Sequence, residues 1–312
     1  MSRITQKSAV GPMSPWVNPS PTGNYTGTST PIVGNQAYTA IPANGAQPST
    51  GTGFYDANFG TYVGQKFDTS DGREVAIVVN GGVALAGGVL VQSAANIAAF
   101  STTALAVTVP TATPATAGSF QILVTNGTTV INVNQYAGGY LFVNAGTGIG
   151  QTLKIASHQP AISGATFLVT LEDAIVTTLD TTSKVNMIYQ PYGGLGGSTT
   201  AGTSAGVIVN PTTPTGVPVG ATLYPIAAST LATYSATGTL LTNGTAQYGF
   251  IVTHGLTGIL NDSAATTVAG EPVSASQATA GAVALFAATK GLVGNAVVTG
   301  SASTTVPVYL TL

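Results

Sequence analysis

Between Gln135 and Tyr189 the chain offers no apolar run long enough for a helix. The runs Tyr140–Val143, Leu153–Ile155, Phe167–Leu171 and Val185–Tyr189 are short, rich in β-branched and aromatic residues, and separated by glycine, proline and small polar residues. Runs of that length and composition specify strands. Between the first two lies Gly146-Thr147-Gly148-Ile149-Gly150, where alternate glycines permit a tight turn or bulge because they tolerate positive φ. The texture continues on both sides. Val75–Val79, Leu105–Val109, Phe120–Val124, Val130–Val133, Val207–Val209, Thr222–Ile226, Tyr248–Thr253, Leu256–Leu260, Val283–Phe286 and Val306–Leu312 read as strands, and Val83–Ala86 is a short apolar run between glycine pairs. Asp71-Gly72, Asn80-Gly81 and Asn126-Gly127 read as turns. Only the alanine-rich Ser93–Phe100 suits a short helix. The expected fold class is all-β, with β-sandwich or barrel-like units built from many short strands.

Composition narrows what such a fold is for. Only 5% of the 312 residues are charged, against about 25% in an ordinary soluble domain, while 44% are apolar and the net charge is −2. So little charge gives weak colloidal repulsion, which points to a protein that lives against neighbouring subunits. The seven basic residues are scattered from Arg3 to Lys290; phosphate binding needs clustered cations, so no nucleic-acid partner is expected. There is no cysteine, which excludes a disulfide framework and a thiolate metal site. The apolar runs fall well short of the ~20 residues that span a bilayer, and the strands lack the regular alternation and aromatic girdles of a lipid-facing barrel. No membrane partner is expected. The N-terminus has no continuous apolar core of the signal-peptide kind, so the N-x-S/T matches at Asn24, Asn126, Asn243 and Asn261 are expected to be turn residues.

Residues 1–52 differ from the rest. Prolines at 12, 15, 19, 21, 31, 42 and 48 stand among Ser, Thr, Asn and Gly, and that density suits neither a helix nor a central strand. Trp16, Tyr25, Tyr38 and Ile41 give the segment apolar anchors, which a disordered linker ordinarily lacks. The expectation is an extended N-terminal arm lying across a neighbouring subunit, with those four residues at the interface. A β domain over 53–195 follows, and a second β unit over 196–312, divided at the glycine-rich PYGGLGGSTTAGTSAG or continuous with it.

Candidate chemistry is sparse. Gly146–Gly150 lacks both the spacing and the following helix of a phosphate loop, since Gln151-Thr152 opens another strand. His158 and His254 stand far apart with no metal-type spacing and read as turn or interface hydrogen-bonding residues. Asp56, Asp68, Asp71 and Glu74 form the densest acidic group, but their spacing fits no EF-hand loop, so solvated turn carboxylates are expected. Glu172-Asp173 are adjacent in a strand and point to opposite faces, which does not make a facing glycosidase pair. No catalytic residue, metal site or cofactor is assigned.

The order of features from about residue 53 resembles the head-decoration, or capsid cement, proteins of tailed bacteriophages. The resemblance is carried by an aromatic region before a D-G-R turn, by G-x-G-x-G-Q-T followed by LED, and by YGFIVTHGLTGIL followed by a G-E-P turn and KGLVGNAVVTG. These are glycine and turn patterns, so their order along the chain carries the likeness, and the arm is not covered. The resemblance implies a non-enzymatic virion protein on the capsid surface. Its partners would be the major capsid protein and other copies of itself, as a homotrimer at the joints between capsomers. The alternatives are a tail fibre or receptor-binding adhesin and, third, a tailspike-type depolymerase.

Overall fold

The computed structural model describes residues 63–69, 71–101, 105–108, 115–193, 206–230, 232–242, 244–262, 266–287 and 290–312. The expected arm lies outside these residues, and with it Trp16, Tyr25, Tyr38 and Ile41. The described chain is all-β apart from one four-residue helix.

In chain order, β1 (Lys66–Asp68), β2 (Glu74–Val79) and β3 (Leu90–Gln92) come first. They are followed by α1 (Ala98–Ser101), β4 (Leu105–Thr108), β5 (Gln121–Thr125), β6 (Tyr140–Ala145), β7 (Thr152–His158), β8 (Thr166–Leu171) and β9 (Lys184–Ile188). Then come β10 (Ile208–Val209), β11 (Pro218–Thr222), β12 (Thr233–Tyr234), β13 (Leu240–Thr242) and β14 (Tyr248–Leu260). The chain ends with β15 (Pro272–Ala275), β16 (Val283–Leu285), β17 (Leu292–Ala296) and β18 (Thr305–Thr311).

Two compact units share these elements. One runs to Gln92 and resumes over Val207–Ser229 and Ala246–Leu312; the other takes Ser93–Gly206 and Thr230–Thr245. The second is thus inserted into the first, which differs from the expected consecutive units 53–195 and 196–312. Pairing is the reason: β2 finds its long partner in β14, and β3 pairs with β11, so the sheet can be completed only by segments that follow the insertion.

The inserted unit is a closed six-stranded barrel in the order β4-β5-β8-β7-β6-β9, shut by Leu105 pairing with Val185. Apolar residues alternate inward along β5 to β9, as period-2 geometry requires. Ile122, Val124, Leu141, Leu153, Phe167, Val169, Val185 and Met187 are buried in this way, around Tyr136, Tyr189 and Phe100. Tyr136 stacks on Tyr189 at 4.6 Å and meets Phe100 edge-on at 5.5 Å. The other unit is a ten-stranded antiparallel sheet whose own core includes Val75, Ile77, Leu90, Val252, Val273, Val293, Val308 and Leu310.

One five-strand module occurs three times across these units. In the barrel its order is β9-β6-β7-β8-β5. In the sheet it is β10-β3-β11-β14-β2, and again β16-β15-β17-β18-β14. An asparagine immediately follows the final strand of each order: Asn126 after β5, Asn80 after β2 and Asn261 after β14. Its Nδ2 donates to two successive carbonyls in the connection between the third and fourth strands. These are Ala161 and Ile162 at 3.1 and 3.0 Å, Ile226 and Ala227 at 3.3 and 2.7 Å, and Gly300 and Ser301 at 3.2 and 2.9 Å. The first carbonyl of each pair belongs to a residue that forms an isolated bridge with the loop after the asparagine: Ile131 with Ala161, Leu85 with Ile226, Thr267 with Gly300. Each loop then ends in a glycine at φ +76, +72 or +80°, Gly138, Gly88 or Gly270. The glycine N–H bonds a carbonyl of the third strand or its edge, on Ile155, Thr222 or Ala296.

This motif corrects several sequence expectations. Asn80-Gly81 and Asn126-Gly127 are not hairpin turns but clamps, and Asn126 and Asn261 are more than turn residues. Val130–Val133 is a clamped loop with one bridge, not a strand, and the apolar run Val83–Ala86 is a loop of the same kind. Thr222–Ile226 is the end of β11 and the connection after it. The runs 248–253 and 256–260 form a single 13-residue strand, β14. It pairs with β2 over its first half and β18 over its second, changing partner at His254, with a register shift on the β2 side. Gly255 sits at φ +98°, and a Cβ there would lie 3.0 Å from Arg73 Cα, so the close approach needs glycine. The short helix expected within Ser93–Phe100 forms at its end, as α1.

Replacing Asn126 by alanine leaves carbonyls of two loops without their donor, and the expected loss of stability is about 2–3 kcal/mol. Asn126→Asp should cost more, because a carboxylate cannot donate and repels the carbonyl oxygens it faces. Urea unfolding checks both, and losses below about 1 kcal/mol would show the clamp to be dispensable.

Candidate functional site

Three connections meet at one end of the barrel: the approach to β5, the β6–β7 turn and the β8–β9 segment. Side-chain hydrogen bonds lock them together. Gln151 uses its whole amide: Nε2 donates to the carbonyls of Gly148 and Thr177 at 3.1 and 3.0 Å, and Oε1 accepts from the N–H groups of Val176 and Thr177 at 2.8 and 3.0 Å. Asp180 accepts from the hydroxyls of Thr147 and Thr182, both at 2.6 Å, and from the Thr182 N–H at 2.8 Å. Ser183 donates to the Thr147 carbonyl at 2.7 Å. The approach to β5 is tied in by Ile175 N–H to Ser119 O, Leu179 N–H to Ala115 O, and Ala117 N–H to Thr178 Oγ1.

The expected tight turn at Gly146–Gly150 is here, with all three glycines at positive φ. A Cβ on Gly146 would lie 2.2 Å from the Thr182 carbonyl oxygen, so that glycine is what lets the turn close on the β8–β9 segment. The hydroxyls of Thr147 and Thr182 hold the exposed Asp180 carboxylate down to about 2, because hydrogen bonds to the ionised form favour it.

From this locked scaffold three large apolar side chains stand in solvent: Phe120, Ile149 and Val176, exposed by 51%, 67% and 76%. The polar groups beneath are satisfied among themselves, while the apolar tips are not covered. Sequence reading missed this surface. Phe120 was placed inside a strand, and nothing in the pattern separates an exposed Ile149 or Val176 from a buried one. The one legible cue was the three-glycine turn leading into Gln151.

The other sequence candidates have structural partners. Lys154 Nζ pairs with Glu172 Oε2 at 2.6 Å, and the Lys154 N–H bonds Asp173 Oδ2 at 2.8 Å, so the two carboxylates serve the strand edge. Asp71 pairs with Arg73 at 2.7 Å across the β1–β2 turn. Glu74 is buried, paired with Lys66 at 2.8 Å and accepting from Thr253 at 2.8 Å. It is therefore not the solvated turn carboxylate expected; Asp56 lies outside the described residues. Among the described residues no three His, Cys, Asp or Glu gather around one point. His254 stands edge-on to Tyr309 at 5.3 Å.

His158 is a core residue, turned inward by the bulge between Ile155 and Ser157. Its Nε2 accepts the Tyr136 N–H at 2.9 Å and its Nδ1 donates to the Gln159 carbonyl at 2.9 Å. Burial disfavours the imidazolium and pulls its pKa down to about 4. No family model matches the chain, and no curated protein or solved structure matches it.

The depressed His158 pKa fixes a pH dependence. An unfolded histidine binds a proton near pH 6.5 and the folded one near 4, so stability is complete above 6.5 and falls as the pH drops towards 4, by roughly 3 kcal/mol at the limit. Thermal unfolding between pH 7.5 and 4 should show this loss. His158→Gln, which keeps an acceptor for Tyr136, should flatten the profile.

Proposed function

We propose that this chain is a virion structural protein that decorates and cements a phage head, attaching through the barrel end that carries Phe120, Ile149 and Val176. The observation that carries this reading is the combination at that end: apolar tips in solvent on loops whose polar groups are already satisfied. Such a surface gains by burying area against a partner and loses little conformational freedom in doing so. Low overall charge and the order of sequence motifs support the same reading. In it, copies seated over capsomer joints add contacts that are lost only when the shell opens, so the assembled state is stabilised by mass action. A homotrimer matches the local symmetry where three capsomers meet. The role is one of binding, with the major capsid protein as the partner.

The test uses purified heads of the phage that encodes the chain, stripped of surface proteins. Wild-type protein should co-sediment with them and raise their resistance to heat. Phe120→Ser and Val176→Ser should each weaken binding by about tenfold or more, as loss of an interface anchor does, with the melting temperature of the protein itself nearly unchanged. Absence of binding to heads, or antibody labelling confined to the tail, would overturn the head assignment, and tail labelling would favour the adhesin. Sedimentation velocity should give a trimer at micromolar concentration, and a stable monomer would remove the symmetry argument.

A further inference from the structure

The sheet unit carries a separate groove of about 610 Å³ on its outer face, bordered by Arg73, Leu223, Leu256, Gly258, Thr305 and Pro307. It exists because of where glycine falls. Along β14, His254, Leu256 and Gly258 alternate onto the solvent face, and the missing side chain at Gly258 leaves a gap beside Leu256. Gly88 deepens it, since a Cβ there would stand 3.2 Å from the Gly258 carbonyl oxygen. One wall continues as an apolar strip: Leu256 lies directly across from Tyr309, and Tyr309 meets His254 edge-on. Leu256 and Tyr309 are 48% and 44% exposed. Part of the polar lining is already engaged. Arg73 donates through Nε to Asp71 Oδ2 at 2.8 Å, and the Thr222 hydroxyl donates to Ala86 O at 2.7 Å while accepting from the Val89 N–H. A groove of this kind suits an extended, uncharged chain with proline and aromatic side chains, the mode in which polyproline-type peptides bind aromatic-edged clefts.

The chain contains such a segment. From Ser8 to Tyr55 it has no Asp, Glu, Lys, Arg or His, and Gly11–Pro21 reads GPMSPWVNPSP, with prolines at 12, 15, 19 and 21 around the sole tryptophan. We infer that Gly11–Pro21 docks in the groove of its own chain, with Trp16 against Leu256 and Tyr309. Reach does not prevent it. The described chain begins at Val63, beside Gly64, whose N–H bonds Ile77 O, and Ile77 pairs with Phe250 on β14. Leu256–Gly258 lies roughly 20–27 Å further along that strand at about 3.4 Å per residue. Residues 22–62 can span several times that distance at about 3.3 Å each. The inference is independent of the proposed attachment to a phage head.

Because Trp16 is the only tryptophan, its fluorescence in the full-length protein reports on this contact alone. Native emission should lie blue of the urea-unfolded chain and resist acrylamide quenching. Leu256→Asp, at a half-exposed position where the fold tolerates charge, should move emission to that of the unfolded chain. Leu256→Met should keep the blue shift, and Val83→Asp, at an exposed site elsewhere, should leave it untouched. Far-ultraviolet circular dichroism confirms that each variant is folded. A native emission equal to that of the unfolded chain, or a blue shift that survives Leu256→Asp, overturns the proposal. A red shift on dilution to nanomolar concentration also overturns it, because the groove would then be filled by a second copy.

Discussion

The asparagine amide that closes onto the connection between the third and fourth strands holds each module together. A connection running beside another loop leaves carbonyl oxygens facing inward with no strand to answer them, and such groups are costly when dry. Asparagine is the shortest side chain that brings two N–H donors to the end of a strand. At Asn80 and Asn126 the same nitrogen also reaches back to the carbonyl three residues on, Val83 at 2.9 Å and Thr129 at 2.8 Å. One side chain thereby fixes its own loop and the loop opposite, and the strands can stay short without fraying.

The same economy explains how a chain with so few charges builds polar structure at all. Among the described residues the ion pairs are Lys66–Glu74, Arg73–Asp71 and Lys154–Glu172. The remaining order in the loops comes from amides and hydroxyls. Gln151 staples two connections at the barrel end, and Thr147 and Thr182 bracket Asp180. Neutral groups of this type satisfy backbone at a smaller desolvation cost than charges do, so a loop can be rigid and its surface still apolar. That combination produces both the rim at Phe120, Ile149 and Val176 and the neutral groove beside Leu256.

Much of the barrel was legible in sequence, because its apolar runs are short, rich in β-branched and aromatic residues, and bounded by turn residues. Tyr140–Val143, Leu153–Ile155 and Phe167–Leu171 fall on strands, and Val185–Tyr189 does so as far as Ile188. The sheet was read less well, for identifiable reasons. Asn-Gly is the favoured hairpin dipeptide, and only the distant carbonyls at Ile226 and Ala161 reveal that the asparagine has another use. β14 was split at His254-Gly255 because glycine ordinarily interrupts a strand, whereas here it admits the Arg73 backbone. β15 begins with proline and β17 contains Gly294 and Asn295, so local propensity argued against both. The module itself has no sequence period, since one copy houses an entire barrel between its second and third strands. The rim residues were invisible because exposure belongs to the tertiary fold.

β14 belongs to two modules at once, and it lies late in the chain. Val75 pairs with Val252, more than half of the 312-residue chain away, whereas the barrel closes between Leu105 and Val185. On a ribosome the barrel strands are therefore all available while β2, with its fully buried face, still waits for the strand that will cover it. Long-range pairing of this kind slows folding and leaves apolar edges open in the meantime. The strand that unites the two sheet modules thus sets the order of events: the insertion closes first, and its host is sealed only once β14 has emerged.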